Sequence, residues 1–157
     1  MKTINLIRYI INEYPHKDEL SEARLNKIIY LVDWKSAIDK GEKITNIDWM
    51  FNHDGPYVIE IENLIAEDDR FNIVSTRNIY GNEKNLITLK EDKNFPEPNE
   101  NDRKIIDFVI DKTRKFNWKE FIELVYSTYP IISQERGTTL DLVALANEYN
   151  TIKEKAE

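Results

Sequence analysis

The chain has 157 residues, 41% of them apolar, with three Trp, eight Tyr, six Phe and no Cys. A chain of this length buries about 70% of its unfolded surface, so one packed domain over residues 1–157 is expected, with disorder only at the ends. The net charge of −7 disfavours duplex binding, and the lack of Cys excludes disulfides, thiolate zinc sites and Cys nucleophiles.

Residues 3–14 place Ile4, Ile7, Ile11 and Tyr14 at helical spacing, and Pro15 ends the element. Asn5, Arg8, Asn12 and Glu13 interrupt the apolar residues, which is unlike a signal peptide. No run of the chain approaches the roughly 18–20 apolar residues of a membrane span, so a soluble, cytoplasmic protein is expected. Ser21 is a good N-cap for a second helix over Glu22–Lys40, with Leu20 and Leu25 as a hydrophobic staple and Gly41 as its stop. Leu25, Ile28, Ile29 and Val32 form one stripe of that helix; Leu31, Trp34 and Ile38 form another. A helix apolar over so much of its circumference is wrapped by other elements.

Ile47–Asn52 has the length and aromatic content of a strand. Gly55-Pro56 reads as a turn, with Pro56 at the first position of a helix over Tyr57–Ala66. Strands are expected at Asn72–Thr76 and Leu86–Leu89, with Asn78 to Asn82 as a hairpin tip. The proline-containing loop Lys93–Asn101 is a candidate internal joint. Three helices follow: Asp102–Lys115, then Trp118–Tyr129 opened by an Asn117/Glu120 capping box and closed by Pro130, then Thr139–Lys153. The fold class is α+β, mainly α: about six helices around a small three-stranded antiparallel sheet, in winged-helix-like order.

Few residues carry chemistry. His53-Asp54 is a His-Asp neighbour pair, but no nucleophile motif accompanies it, and Asp54 is well placed to cap the following helix. Asp33, beside Trp34 on an apolar helix, must be paired or hydrogen-bonded if buried, to the Gly-Pro turn or to a backbone amide. No second carboxylate lies at a motif spacing, and no Walker loop or GxGxxG is present, so neither metal nor cofactor is expected. The helix after Pro56 is acidic (Glu60, Glu62, Glu67, Asp68, Asp69), which sets phosphate repulsion against groove reading. The densest basic cluster, Lys112, Arg114, Lys115 and Lys119, reads as a solvated helix end.

Leu25, Lys27, Ile28, Ile29, Tyr30, Leu31, Val32 and Asp33, then Gly41 and Ile44, then Asp54, Gly55, Pro56, Tyr57 and Val58 together resemble the Panacea domain, the SocA- and GepA-like antitoxin family. Members typically show a Leu-x-Lys-Leu-Leu-Tyr-Leu-Ala-Asp helix, a Gly-x-x-Ile segment and a Tyr-Gly-Pro-Val turn. Asp54 stands where Tyr is common, and Tyr57 is inserted before Val58. The likeness is close over residues 20–65 and elsewhere follows element order. It implies a non-catalytic module of bacteria, phages and mobile elements that neutralises a cognate toxin by direct binding. In at least one branch it implies an adaptor that delivers the toxin to the ClpXP protease.

On this reading the partner-facing residues are Trp49, Phe51, His53, Asp54, Tyr57 and Glu60. Lys27, Tyr30, Asp33, Trp34, Gly55 and Pro56 support them from beneath. The alternative is a winged-helix-like DNA-binding regulator of its own operon, which requires a basic helix or wing.

Overall fold

The computed structural model describes residues 1–77 and 80–156. Helix α1 (Thr3–Glu13) buries Leu6, Ile7, Tyr9, Ile10 and Ile11 along one side. A 3-10 turn, Lys17–Glu19, leads to α2 (Glu22–Lys40), where the Ser21 hydroxyl accepts the Arg24 N–H at 3.1 Å. Both members of the staple, Leu20 and Leu25, are buried. The helix ends at Gly41, whose φ of 72° is left-handed and whose N–H returns to the Ala37 carbonyl at 3.0 Å.

α2 is buried on nearly every side. Leu25, Ile28, Ile29, Tyr30 and Val32 are inaccessible, and so are the polar Asn26, Asp33 and Ser36. Each buried aliphatic side chain there contributes roughly 1.5–3 kcal/mol, which lets this helix organise the rest. The later helices α4 (Glu100–Thr113) and α7 (Leu142–Ala156) pack against it, and one hydrophobic cluster joins residues from Leu6 to Ala146.

Strand β1 (Trp49–Asn52) pairs antiparallel with β2 (Gly55–Tyr57) on one side and with β5 (Thr139–Leu140) on the other. The three-stranded sheet is thus β2-β1-β5. Strands β3 (Phe71–Arg77) and β4 (Glu83–Leu89) form a separate hairpin in unbroken register from Phe71↔Leu89 to Arg77↔Glu83. An isolated bridge from Ser21 to Leu86 ties this hairpin to the start of α2. The expected hairpin tip falls partly on residues 78 and 79, outside the described residues.

Two expectations at the Gly-Pro segment are corrected. Pro56 does not open a helix; it lies in β2 opposite Phe51, and α3 (Glu60–Ala66) begins later, after Ile59. Pro56 is tolerated because β2 is an edge strand, where a missing N–H costs no ladder bond. Asp54 therefore caps nothing: with His53 it forms the tight turn between β1 and β2, and α3 has no side-chain cap.

In the second half, Asn99 caps α4 by accepting the Asp102 N–H at 2.8 Å. The capping box at Asn117 and Glu120 is present and opens α5 (Trp118–Tyr126). α5 ends before Tyr129, because Pro130 sits in the first turn of a separate short helix, α6 (Tyr129–Ser133). The last helix starts at Leu142, after Thr139 and Leu140 have been taken by β5. Seven α-helices among the described residues, with one three-stranded and one two-stranded antiparallel sheet, make the fold α+β and mainly α.

Candidate functional site: a hairpin presented by a buried carboxylate

Asp33 is fully buried on α2 and its acceptor capacity is well used. Oδ1 accepts the backbone N–H groups of Ile44 and Thr45, each at 3.0 Å. Oδ2 accepts the Thr45 hydroxyl and the Trp49 indole N–H, the latter at 2.8 Å. Thr45 Oγ1 accepts in turn from the Ile47 N–H at 3.1 Å. The carboxylate thus fixes the loop after α2 and the first residue of β1. Of the two partners expected for it, the backbone amides are the real ones, and the Gly-Pro turn is not.

Around it, Tyr30 packs edge-on against Trp49 with ring centroids 5.6 Å apart, and its hydroxyl bonds that of Thr128 at 2.8 Å. Burial pushes the Tyr30 phenol well above its usual range, so it remains a neutral hydrogen-bonding group. Trp34, one helical turn on from Tyr30, packs edge-on to Tyr149 of α7 at 5.8 Å. Trp49 and Phe51, placed on the partner-facing surface by their position in the chain, are both buried. Their side chains belong to the support. Arg136 stacks over the Phe51 ring at 5.7 Å.

The turn and the residues after it face outwards. His53, Asp54 and Glu60 are exposed, Tyr57 is half-buried, and Ile59 leaves 54% of its surface in solvent. Beneath them lies a polar layer. The Asn26 side chain closes the link to α2, donating to the Val58 carbonyl at 2.8 Å and accepting the Val58 N–H at 3.3 Å. Lys27 is buried under the Tyr57 ring, 5.8 Å from its centroid. Desolvation lowers the Lys27 ammonium from its usual range, and the negative charges of Asp54 and Glu22 partly offset this.

The Tyr57 hydroxyl lies 3.5 Å from a Glu22 oxygen and 3.3 Å from a Glu62 oxygen. Glu22 also accepts from Asn26 at 3.2 Å. Burial raises the Glu22 carboxyl above its usual range, and the charge of Glu62 adds to the rise, against the hydrogen bonds from Asn26 and Tyr57. A carboxyl raised on folding binds its proton more tightly in the folded state. Its contribution to stability is therefore complete at low pH and is lost as pH rises through the folded-state value. Glu22→Gln is accordingly expected to be more stable than the wild-type chain at pH 7 in urea unfolding. The difference should vanish below about pH 4, where both states are protonated.

Arg24 was given no role by its sequence pattern, yet it fastens α5 to α2. Its guanidinium donates to the Phe116 carbonyl and to the Tyr14 hydroxyl, and lies 4.7 Å from the Phe121 ring centroid. Glu22 and Thr45 were missed as well, because each gains its role from a contact distant in sequence, and Ile59 because its exposure depends on how α3 packs. Among the described residues no group of three or more His, Asp or Glu is placed to hold a metal ion, and no helix is long and apolar enough to cross a membrane.

His53 is exposed at the turn. What the geometry does offer is a hairpin tip and a short acidic helix, rigidly held from below. A family model described as Antitoxin SocA-like, Panacea domain, matches residues 25–130. No curated protein and no solved structure matches the chain. The matched stretch runs from α2 through both hairpins to the start of α6 and covers well over half of the sequence, so the chain belongs to the SocA-like antitoxin family and its core is the Panacea domain.

Proposed function

We propose that the protein neutralises a cognate toxin by direct binding, without catalysis, through the tip of the β1–β2 hairpin and the exposed side of α3. The observation that carries this reading is charge and exposure on one stretch of chain. Asp54, Glu60, Glu62, Glu67 and Asp69 lie on a stretch with no Lys or Arg before Arg70, which is taken up by an ion pair with Asp68 at 2.6 Å, and Ile59 stands exposed on the same stretch. An exposed apolar anchor on an acidic stretch suits a basic protein surface, the anchor giving affinity and the charges giving approach and register. His53, Asp54, Tyr57, Ile59 and Glu60 are the contact residues on this reading. The chain works in the cytoplasm as one unit, the loop 93–101 returning α4 onto α2.

The test is co-expression with the product of the adjacent gene. The wild-type chain should relieve growth arrest and co-purify with that product. Ile59→Ala and Glu60→Lys should each weaken the complex about tenfold or more while melting like the wild type, since surface changes leave stability nearly untouched. A harmless neighbour that forms no complex would sink the antitoxin reading. Full affinity in the Ile59→Ala, Glu60→Lys double variant would sink only this choice of surface. Comparing the toxin's half-life with and without ClpXP separates occlusion from delivery to the protease.

A DNA-binding role has the element order in its favour and the charge against it. The helix that would enter a groove is α3, and its acidic side chains repel phosphate.

A further inference from the structure

The outer edge of β3 carries the strongest unassigned signal. β3 pairs only with β4, and among the described residues no other backbone hydrogen bond reaches residues 72–77. The Lys90 N–H donates to the Arg70 carbonyl at 2.7 Å, which makes Arg70 and Lys90 a hydrogen-bonded pair of the antiparallel ladder. Alternation along the register then aims the backbone groups of Asn72, Val74 and Thr76 at β4. Those of Ile73, Ser75 and Arg77 aim outwards.

Edges of this kind are normally blunted by Pro, by inward charges, by a bulge or by a cover. β3 reads FNIVSTR, with no Pro and no break in register, and leaves 37% of Ile73 and 43% of Val74 exposed.

We propose that this edge is a self-association surface, on which β3 of a second copy of the chain pairs antiparallel about a two-fold axis at Val74. The product is a continuous sheet in the order β4-β3-β3-β4. In this register Ile73 of each copy exchanges backbone hydrogen bonds with Ser75 of the other, and the two Val74 side chains meet in the closely spaced, non-hydrogen-bonded position. Charge selects a second copy as the occupant. Exposed Glu67 and Asp69 precede the strand, and exposed Arg77 ends it. An antiparallel two-fold brings Arg77 of each copy to the acidic end of the other, so the strand is complementary to itself. Two short strands bury less than the roughly 1,200–2,000 Å² of a durable interface, so the dimer is weak and forms with rising concentration. The pairing draws on Glu67 and Asp69 from the acidic stretch, and leaves the tip of the β1–β2 hairpin, Ile59 and Glu60 outside it.

Sedimentation equilibrium of the purified chain over about a hundredfold range of concentration tests this by mass action. The mass should rise from one chain towards two. Ser75→Pro removes an outward N–H without touching the β3–β4 ladder, and should stay single-chain with an unchanged far-UV spectrum. Val74→Lys, which sets two ammonium groups face to face, should weaken association at least tenfold and serves if the proline variant does not fold. Arg77→Glu should weaken it too, and adding Asp69→Arg in the same chain should restore it. A wild-type chain that stays single throughout overturns the proposal. So does a dimer that survives both Ser75→Pro and Val74→Lys.

Discussion

Replacing Asp33 by Ala is expected to destabilise the fold by about 3–5 kcal/mol, the range seen when one partner of a buried charged network is removed. The reason is what remains behind. The N–H groups of Ile44 and Thr45, the Thr45 hydroxyl and the Trp49 indole all lose their acceptor in a buried site. Against a typical total stability of about 5–15 kcal/mol, such a loss is a large fraction of the whole. Trp49→Phe removes only one donor and keeps most of the ring, so it should cost less, about 1.5–3 kcal/mol. Urea midpoints of the two variants check both magnitudes and their order. An Asp33→Ala chain that melts with the wild type would show that the carboxylate does not hold the loop.

The second large effect is expected at Gly55, where Ala should cost about 2–5 kcal/mol. Its φ of 93° is a backbone region that a side chain enters at about 1–2 kcal/mol. A Cβ there would also stand 3.3 Å from the Tyr126 ring and hydroxyl, and overpacking of this kind adds about 1–3 kcal/mol. The two parts are separable. In a double-mutant cycle, Tyr126→Ala should relieve the steric share of the Gly55→Ala cost and leave the backbone share. Full additivity would mean that contact with Tyr126 contributes nothing.

The elements that were legible in the sequence are those whose signals are local. Ser21, the Leu20–Leu25 staple and Gly41 bracket α2, and the box at Asn117 and Glu120 opens α5, each through partners within a few residues. Asp33 could be recognised as a buried carboxylate, but its partners across the loop could not be chosen from spacing alone. The Gly-Pro pair misled because it is equally compatible with a helix start and with an edge strand. What decides between them is pairing to Met50, Phe51 and Asn52. β5 was illegible for the same reason: Thr139 and Leu140 are a strand only because β1 lies beside them. The candidate surface divided likewise, since aromatic content marked Trp49 and Phe51 but said nothing of which way they point.

That two-residue strand has a further meaning. The family segment ends at residue 130, but the sheet it builds is finished by residues that follow. Phe51 donates its N–H to the Thr138 carbonyl and accepts from the Gly137 N–H, and α7 covers Trp34 from the same stretch. The C-terminal quarter thus acts as a clasp on the middle of the molecule. Changes near residues 137–149, far from the antitoxin motif in sequence, can tilt the hairpin that carries His53 and Asp54.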